Sequence, residues 1–141
     1  MSKYFILLFL TMLAFSVAKA DTKETKIRLK FDGKEMIVKL SDNNSTKSLL
    51  SSLPMTLKFE DFNSVEKIAY LKGKLPTDDA PEGYDPSTGD LAYYAPWGNL
   101  SLFYKDFRYS NSLIHLGVVE SGMEYAEMLD DGNDVVIELV K

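Results

Sequence analysis

Between Thr25 and Leu139 apolar residues return at every second position in short runs, and turn formers separate the runs. A chain patterned this way buries one edge of each extended segment, so it must fold mainly as sheet. Ile27, Leu29 and Phe31 alternate with Lys26, Arg28 and Lys30. Asp32-Gly33 then gives a two-residue hairpin signal, and Met36, Val38 and Leu40 alternate on the way back. Met55, Leu57 and Phe59 keep the same rhythm, and 66–71, 90–95, 99–104 and 113–119 read as further strands. Val135, Ile137 and Leu139 mark the last.

Two segments break the alternation. Asp42, Asn43, Asn44 and Ser45 are residues of the helix N-cap type, and Leu49, Leu50 and Leu53 follow before Pro54. This predicts a helix over 45–52, lying on the sheet. A second helix is predicted over 121–130, with Ser121 as its cap and Met123, Ala126, Met128 and Leu129 as its apolar positions. About eight short strands and two short helices predict a mainly β fold, a closed barrel or a sandwich. The connection 72–89 is rich in Gly, Pro and Asp, and loops of that length are often functional.

The amino-terminal segment is of another kind. Lys3 precedes the apolar stretch Tyr4–Val17, and Ala18-Lys19-Ala20 has the small-x-small pattern of a signal-peptidase site. The stretch is about 14 residues long, short of the roughly 20 that a spanning helix needs. Residues 1–20 are therefore expected to be a signal peptide and 21–141 one exported domain, periplasmic or secreted, with no membrane span after cleavage. Removing Lys3 and Lys19, and no acid, takes the formal net charge from −5 to −7. Such a chain is a poor partner for nucleic acid, which is bound by neutralising phosphate with Lys and Arg. With no cysteine and one histidine, His115, thiolate chemistry is excluded and a zinc site is not expected. The acidic pairs Asp78-Asp79 and Asp130-Asp131 lack the alternating spacing of a calcium loop. No cofactor motif is present, and nothing sets the oligomeric state.

A resemblance emerges towards the carboxyl terminus. Leu116-Gly117-Val118-Val119-Glu120-Ser121-Gly122-Met123 resembles the Phe-Gly-x-Val-x-x-Gly-Met stretch of cyclophilins, which leads from a barrel strand into the second helix. The runs IAYL, APEGYDPSTGDLAYYAPWGNL, FYKDF and LGVVESGMEYAEML are similar to a bacterial cyclophilin-like domain family of unknown function. The resemblance covers about 25–140 and implies a closed, eight-stranded barrel with a helix at each end. It does not imply prolyl isomerisation. The catalytic Arg position of cyclophilins falls on Ser64, the Gln position on Lys72, the cleft Phe on Ala69 and the cleft His on Leu113. Without a positioned guanidinium the main stabiliser of the twisted amide is missing, unless Arg108 supplies it from another segment.

The same resemblance places Tyr93 inside the barrel and Tyr94 towards the cleft, and alternation allows only one of them to face inward. The expected binding face comprises Tyr70, Lys72, Tyr94, Pro96, Trp97, Ser101 and Phe103. Tyr93–Asn99 either lines an aromatic groove there or fills core and shapes a turn. Gly83-Tyr84-Asp85-Pro86 is either a lid or a rigid turn. His115, between Ile114 and Leu116, is expected to be a hydrogen-bonded wall residue. The leading expectation is a non-enzymatic module for a small molecule or an extended peptide segment. A divergent peptidyl-prolyl isomerase and a structural domain pairing through an edge strand are the alternatives.

Overall fold

The computed structural model describes residues 24–141. The segment read as a signal peptide lies outside the described residues. The strands are β1 (Lys26–Phe31), β2 (Lys34–Leu40), β3 (Met55–Leu57), β4 (Glu60–Phe62), β5 (Glu66–Tyr70), β6 (Gly83–Tyr84), β7 (Asp90–Tyr94), β8 (Asn99–Phe103), β9 (Ser110–Asn111), β10 (Leu113–Ser121) and β11 (Val135–Leu139); the alternating runs form most of them, and the two-residue strands β6 and β9 fall where no strand was expected. Asp32 and Gly33 both take positive φ, 48° and 69°, the backbone that a tight hairpin between right-twisted strands requires.

Nine strands make one antiparallel sheet in the order β3-β11-β1-β2-β10-β7-β8-β5-β4, and β6 and β9 form a small ribbon. The sheet curls strongly around a core of Ile27, Leu29, Met36, Val38, Leu91, Tyr93, Leu100, Leu102, Leu116 and Ile137, all essentially inaccessible. The expected closed, eight-stranded barrel is corrected here, because β3 and β4 are free edges. The run Met55–Glu60 was expected to be a single strand. It bends at Lys58-Phe59, so that β3 pairs with β11 and β4 pairs with β5. Two successive pieces of one extended run cannot ladder with each other, so only the covalent link joins the edges. Phe59, at that link, is fully buried in the core.

The first helix, α1 (Asn44–Ser51), starts one residue earlier than expected. Asn43 caps it: its Oδ1 accepts from the Thr46 N–H at 2.8 Å, and the Asn43 N–H donates to Thr46 Oγ1 at 3.1 Å. The second helix is only a 3-10 segment, Met123–Met128, and Ser121 is the last residue of β10 rather than its cap. The chain turns at Gly122 with φ of 86°, close against the backbone of Glu35 and Met36 in β2. A backbone turn that only glycine fits therefore sets the start, in place of a side-chain cap. No helix among the described residues is long and apolar enough to cross a membrane.

Candidate functional site

Register fixes which side chains share the outer face of the β7-β8-β5 wall. Tyr94 stands opposite Asn99, which stands opposite Tyr70; Ala92, Ser101 and Ile68 form the next row. Phe103 faces Glu66, and Glu66 faces Phe62 of β4. Tyr93, Leu100, Leu102 and Ala69 point the other way, into the core. The alternation thus puts Tyr93 inside and Tyr94 outside, as the resemblance implied.

An outer face of an antiparallel sheet is ordinarily wetted. Here Asn99, Ser101 and Phe103 are buried, because the chain after β8 folds back across them. Ala92, Phe103 and Leu113 form a second apolar cluster with Tyr94 and Phe107 packed on it. Between this cluster, the Tyr94–Asn99 turn and the returning segment 107–111 lies a cavity of about 460 Å³. Trp97 stands edge-on to Phe62 and to Tyr94, with ring centroids 5.5 Å away in both cases, and 51% of it remains exposed. The Arg108 guanidinium sits over the Phe107 ring at 5.1 Å, on the cavity wall.

A buried polar chain runs along one side of the cavity. Asn99 Nδ2 donates to Ser101 Oγ at 3.0 Å, and Ser101 Oγ donates to Glu66 Oε1 at 3.1 Å. Burial pushes the Glu66 carboxyl above the usual carboxylate range, and the Ser101 hydrogen bond opposes the shift only in part. Glu66 forms no ion pair with any described residue. Its neighbour Lys67 faces inward and reaches Asp61 at 3.4 Å instead.

Of the residues expected from sequence, Tyr94, Trp97 and Phe103 line this cavity, and Ser101 lies buried beside it. Tyr70 shares the strand face but is 53% exposed beyond the cavity, and Pro96 is exposed in the turn. Lys72 is elsewhere: it borders a cavity of about 450 Å³ between α1 and the segment 71–75. The residues expected from sequence did not include Phe62, Glu66 and Phe107, and Arg108 entered only as a possible substitute for the missing guanidinium. Counting the period-2 face back from Phe103 to its partner strand would have found Glu66. Phe107, Arg108 and Tyr109 carried only a weak signal, two aromatics flanking a cation in a polar connection.

His115 occupies a smaller hollow of about 180 Å³. Its Nδ1 lies 3.0 Å from Ser41 Oγ, its Nε2 3.6 Å from Asp90 Oδ1, and the Tyr84 ring stands edge-on at 5.4 Å. Hydroxyl, imidazole and carboxylate in a row suggest acyl transfer, which also needs donors for an oxyanion. The adjacent donors are committed elsewhere. The Ser41 N–H bonds Leu116 O at 2.8 Å, the Asn43 N–H bonds Thr46 Oγ1, and Asn43 Nδ2 bonds His115 O at 3.1 Å. The row therefore ties the start of α1 to the wall, the hydrogen-bonded role expected for His115. Tyr84 pairs with Ser110 as part of the β6-β9 ribbon. Among the described residues no group of three or more His, Cys, Asp or Glu is placed to hold a metal ion.

A family profile described as the cyclophilin-like family matches residues 29–139, from β1 to the end of β11. A hypothetical protein from Archaeoglobus fulgidus, whose structure was determined in solution, matches with a TM-score of 0.59 at 18% identity. The match covers 82% of this chain and 94% of that one, and at such identity the likeness is one of fold. No curated protein matches the chain. The family match spans most of the sequence, and the chain belongs to the cyclophilin-like family.

Proposed function

We propose that this chain is an exported, non-enzymatic binding module that takes a small molecule or an extended peptide segment into the cavity between Trp97 and Arg108. One observation carries the reading. A sheet face that would ordinarily be wetted is covered so as to leave a hollow of about 460 Å³ walled by Phe62, Tyr94, Trp97, Phe103 and Phe107. Ligand sites are mostly apolar concavities with a few convergent polar groups, and Glu66 and Arg108 are the polar groups here. The chain has a single tryptophan, so its fluorescence reports this cavity alone. A ligand screen on residues 21–141 should give a saturable change that Tyr94→Ala weakens about tenfold or more, the loss of one buried aromatic contact. A screen in which no compound moves Trp97 emission would remove the assignment.

A divergent peptidyl-prolyl isomerase is the second reading, favoured by the guanidinium of Arg108 on the wall of an aromatic cavity. The stabilising group would then come from the segment after β8 instead of from position 64. An assay on an X-Pro peptide, with a true cyclophilin as control, decides it. Acceleration abolished by Arg108→Ala would establish the activity, and a rate equal to the uncatalysed one would exclude it.

A further inference from the structure

We infer that the ligand of this cavity carries a positively charged nitrogen, an alkylammonium group held by Glu66 within the aromatic walls. The inference rests on the cavity being the binding site and adds the charge of what enters it. Glu66 is partly withdrawn from water, yet no described cation compensates it. An ionised carboxylate in that position is costly unless something pairs with it. Ser101 holds Oε1 at 3.1 Å and is itself held by Asn99, so the carboxylate is oriented and Oε2 is left for another donor.

The walls suit the same charge. The faces of Trp, Tyr and Phe rings are negative, and a cation within about 6 Å of them is attracted, more strongly where water is excluded. Phe62, Tyr94, Trp97, Phe103 and Phe107 border the same hollow as Glu66. Among the described residues Arg108 is the one cation on the wall, and it already has a partner in Phe107, whose ring its guanidinium covers at 5.1 Å. An anion would meet Arg108 but would also meet the carboxylate of Glu66. The chain's acidic balance favours a cation at longer range as well.

Two sources offer this group, a free amine and a lysine side chain in an extended peptide. The test uses four probes, with acetate as an anionic control, read by Trp97 emission. Butylammonium represents the free amine, and acetyl-Gly-Lys-Gly-amide represents the peptide. Butanol and acetyl-Gly-norleucine-Gly-amide are their neutral counterparts. At least one cation should bind saturably and about 10–100-fold tighter than its neutral counterpart, the usual worth of a hydrogen bond to a charged group. Glu66→Gln, which keeps the acceptor for Ser101, should abolish that preference. The better of the two cations identifies the source. Neutral probes binding as well as cations, or a cation preference that survives Glu66→Gln, would overturn the inference and leave the cavity standing as a site. If acetate binds and Arg108→Ala removes it, the charge has been assigned with the wrong sign. If no probe changes Trp97 emission, while denaturation of the chain does, the cavity reading fails with it.

Discussion

Glu66 is where stability and function pull apart. Its carboxyl is pushed up by burial, so the folded chain holds the proton more tightly than the unfolded chain does. The stability gained this way is present below the ordinary glutamate range and is lost as pH rises through the folded value. At neutral pH the ionised group is then a net cost that Glu66→Gln relieves. The variant should melt roughly 2–5 °C higher at pH 7, a modest gain because the carboxylate keeps some solvent. The gap should close as pH falls below about 4. Thermal unfolding followed by circular dichroism at both pH values checks this. A variant less stable at pH 7 would make Glu66 a structural acceptor for Ser101 and nothing more. A residue that weakens the fold while aiming a polar group into a cavity is the kind expected at a working site. Glu66 is legible only through its place opposite Phe103 on the period-2 face, and that signal acts only once the pairing of β5 with β8 is known.

Strands and their faces were the most legible level. Hydrophobic alternation located β1, β2, β7, β8 and β11 and allowed only one of Tyr93 and Tyr94 inside, and the family resemblance picked Tyr93 correctly. The first helix could be read from Asn43 and the leucines behind it, since capping chemistry is local. The second was located within 121–130, but its start and 3-10 form were not, because Gly122 in the left-handed region makes a turn against β2 in place of a side-chain cap. The bend at Lys58-Phe59 escaped for a similar reason: alternation continues through it, and only the pairing partners change. Phe59 is the residue that closes this part of the core. Phe59→Ala should cost about 3–5 kcal/mol, the range for emptying a buried aromatic position. Urea unfolding monitored by circular dichroism measures it, and a loss under about 1 kcal/mol would mean that the two sheet edges do not depend on the ring.

At the scale of the whole molecule, the core and the site occupy opposite faces of one wall. Leu100 and Leu102 hold the interior, while Ser101 and Phe103, between and beside them, build the cavity outside. The ligand face can therefore diverge without emptying the core, which suits a fold reused for other purposes. The expected site was legible where it lay on β7 and β8 and illegible where it came from the returning segment 107–111, since that contact depends on how a loop folds back. Lys72 was misleading for the same reason: it lies two residues beyond Tyr70 in sequence, but the chain leaves the strand at Leu71 and turns towards α1. Export belongs to this scale too. Expression with the leader intact should yield a product beginning at Asp21 outside the cytoplasm, identified by amino-terminal sequencing. A retained Met1 in the soluble cytoplasmic fraction would contradict the signal-peptide reading.

Two cavities of nearly equal size compete for the role of binding site, one beside Trp97 and one beside Lys72. Chemical-shift mapping of the backbone amides of residues 21–141, titrated with a mixed fragment library, separates them directly. Saturable shifts should cluster at Phe62, Glu66, Tyr94, Trp97 and 107–111. Shifts confined to Ser48–Leu57 and Leu71–Leu75 would place the site at the other cavity and contradict the account.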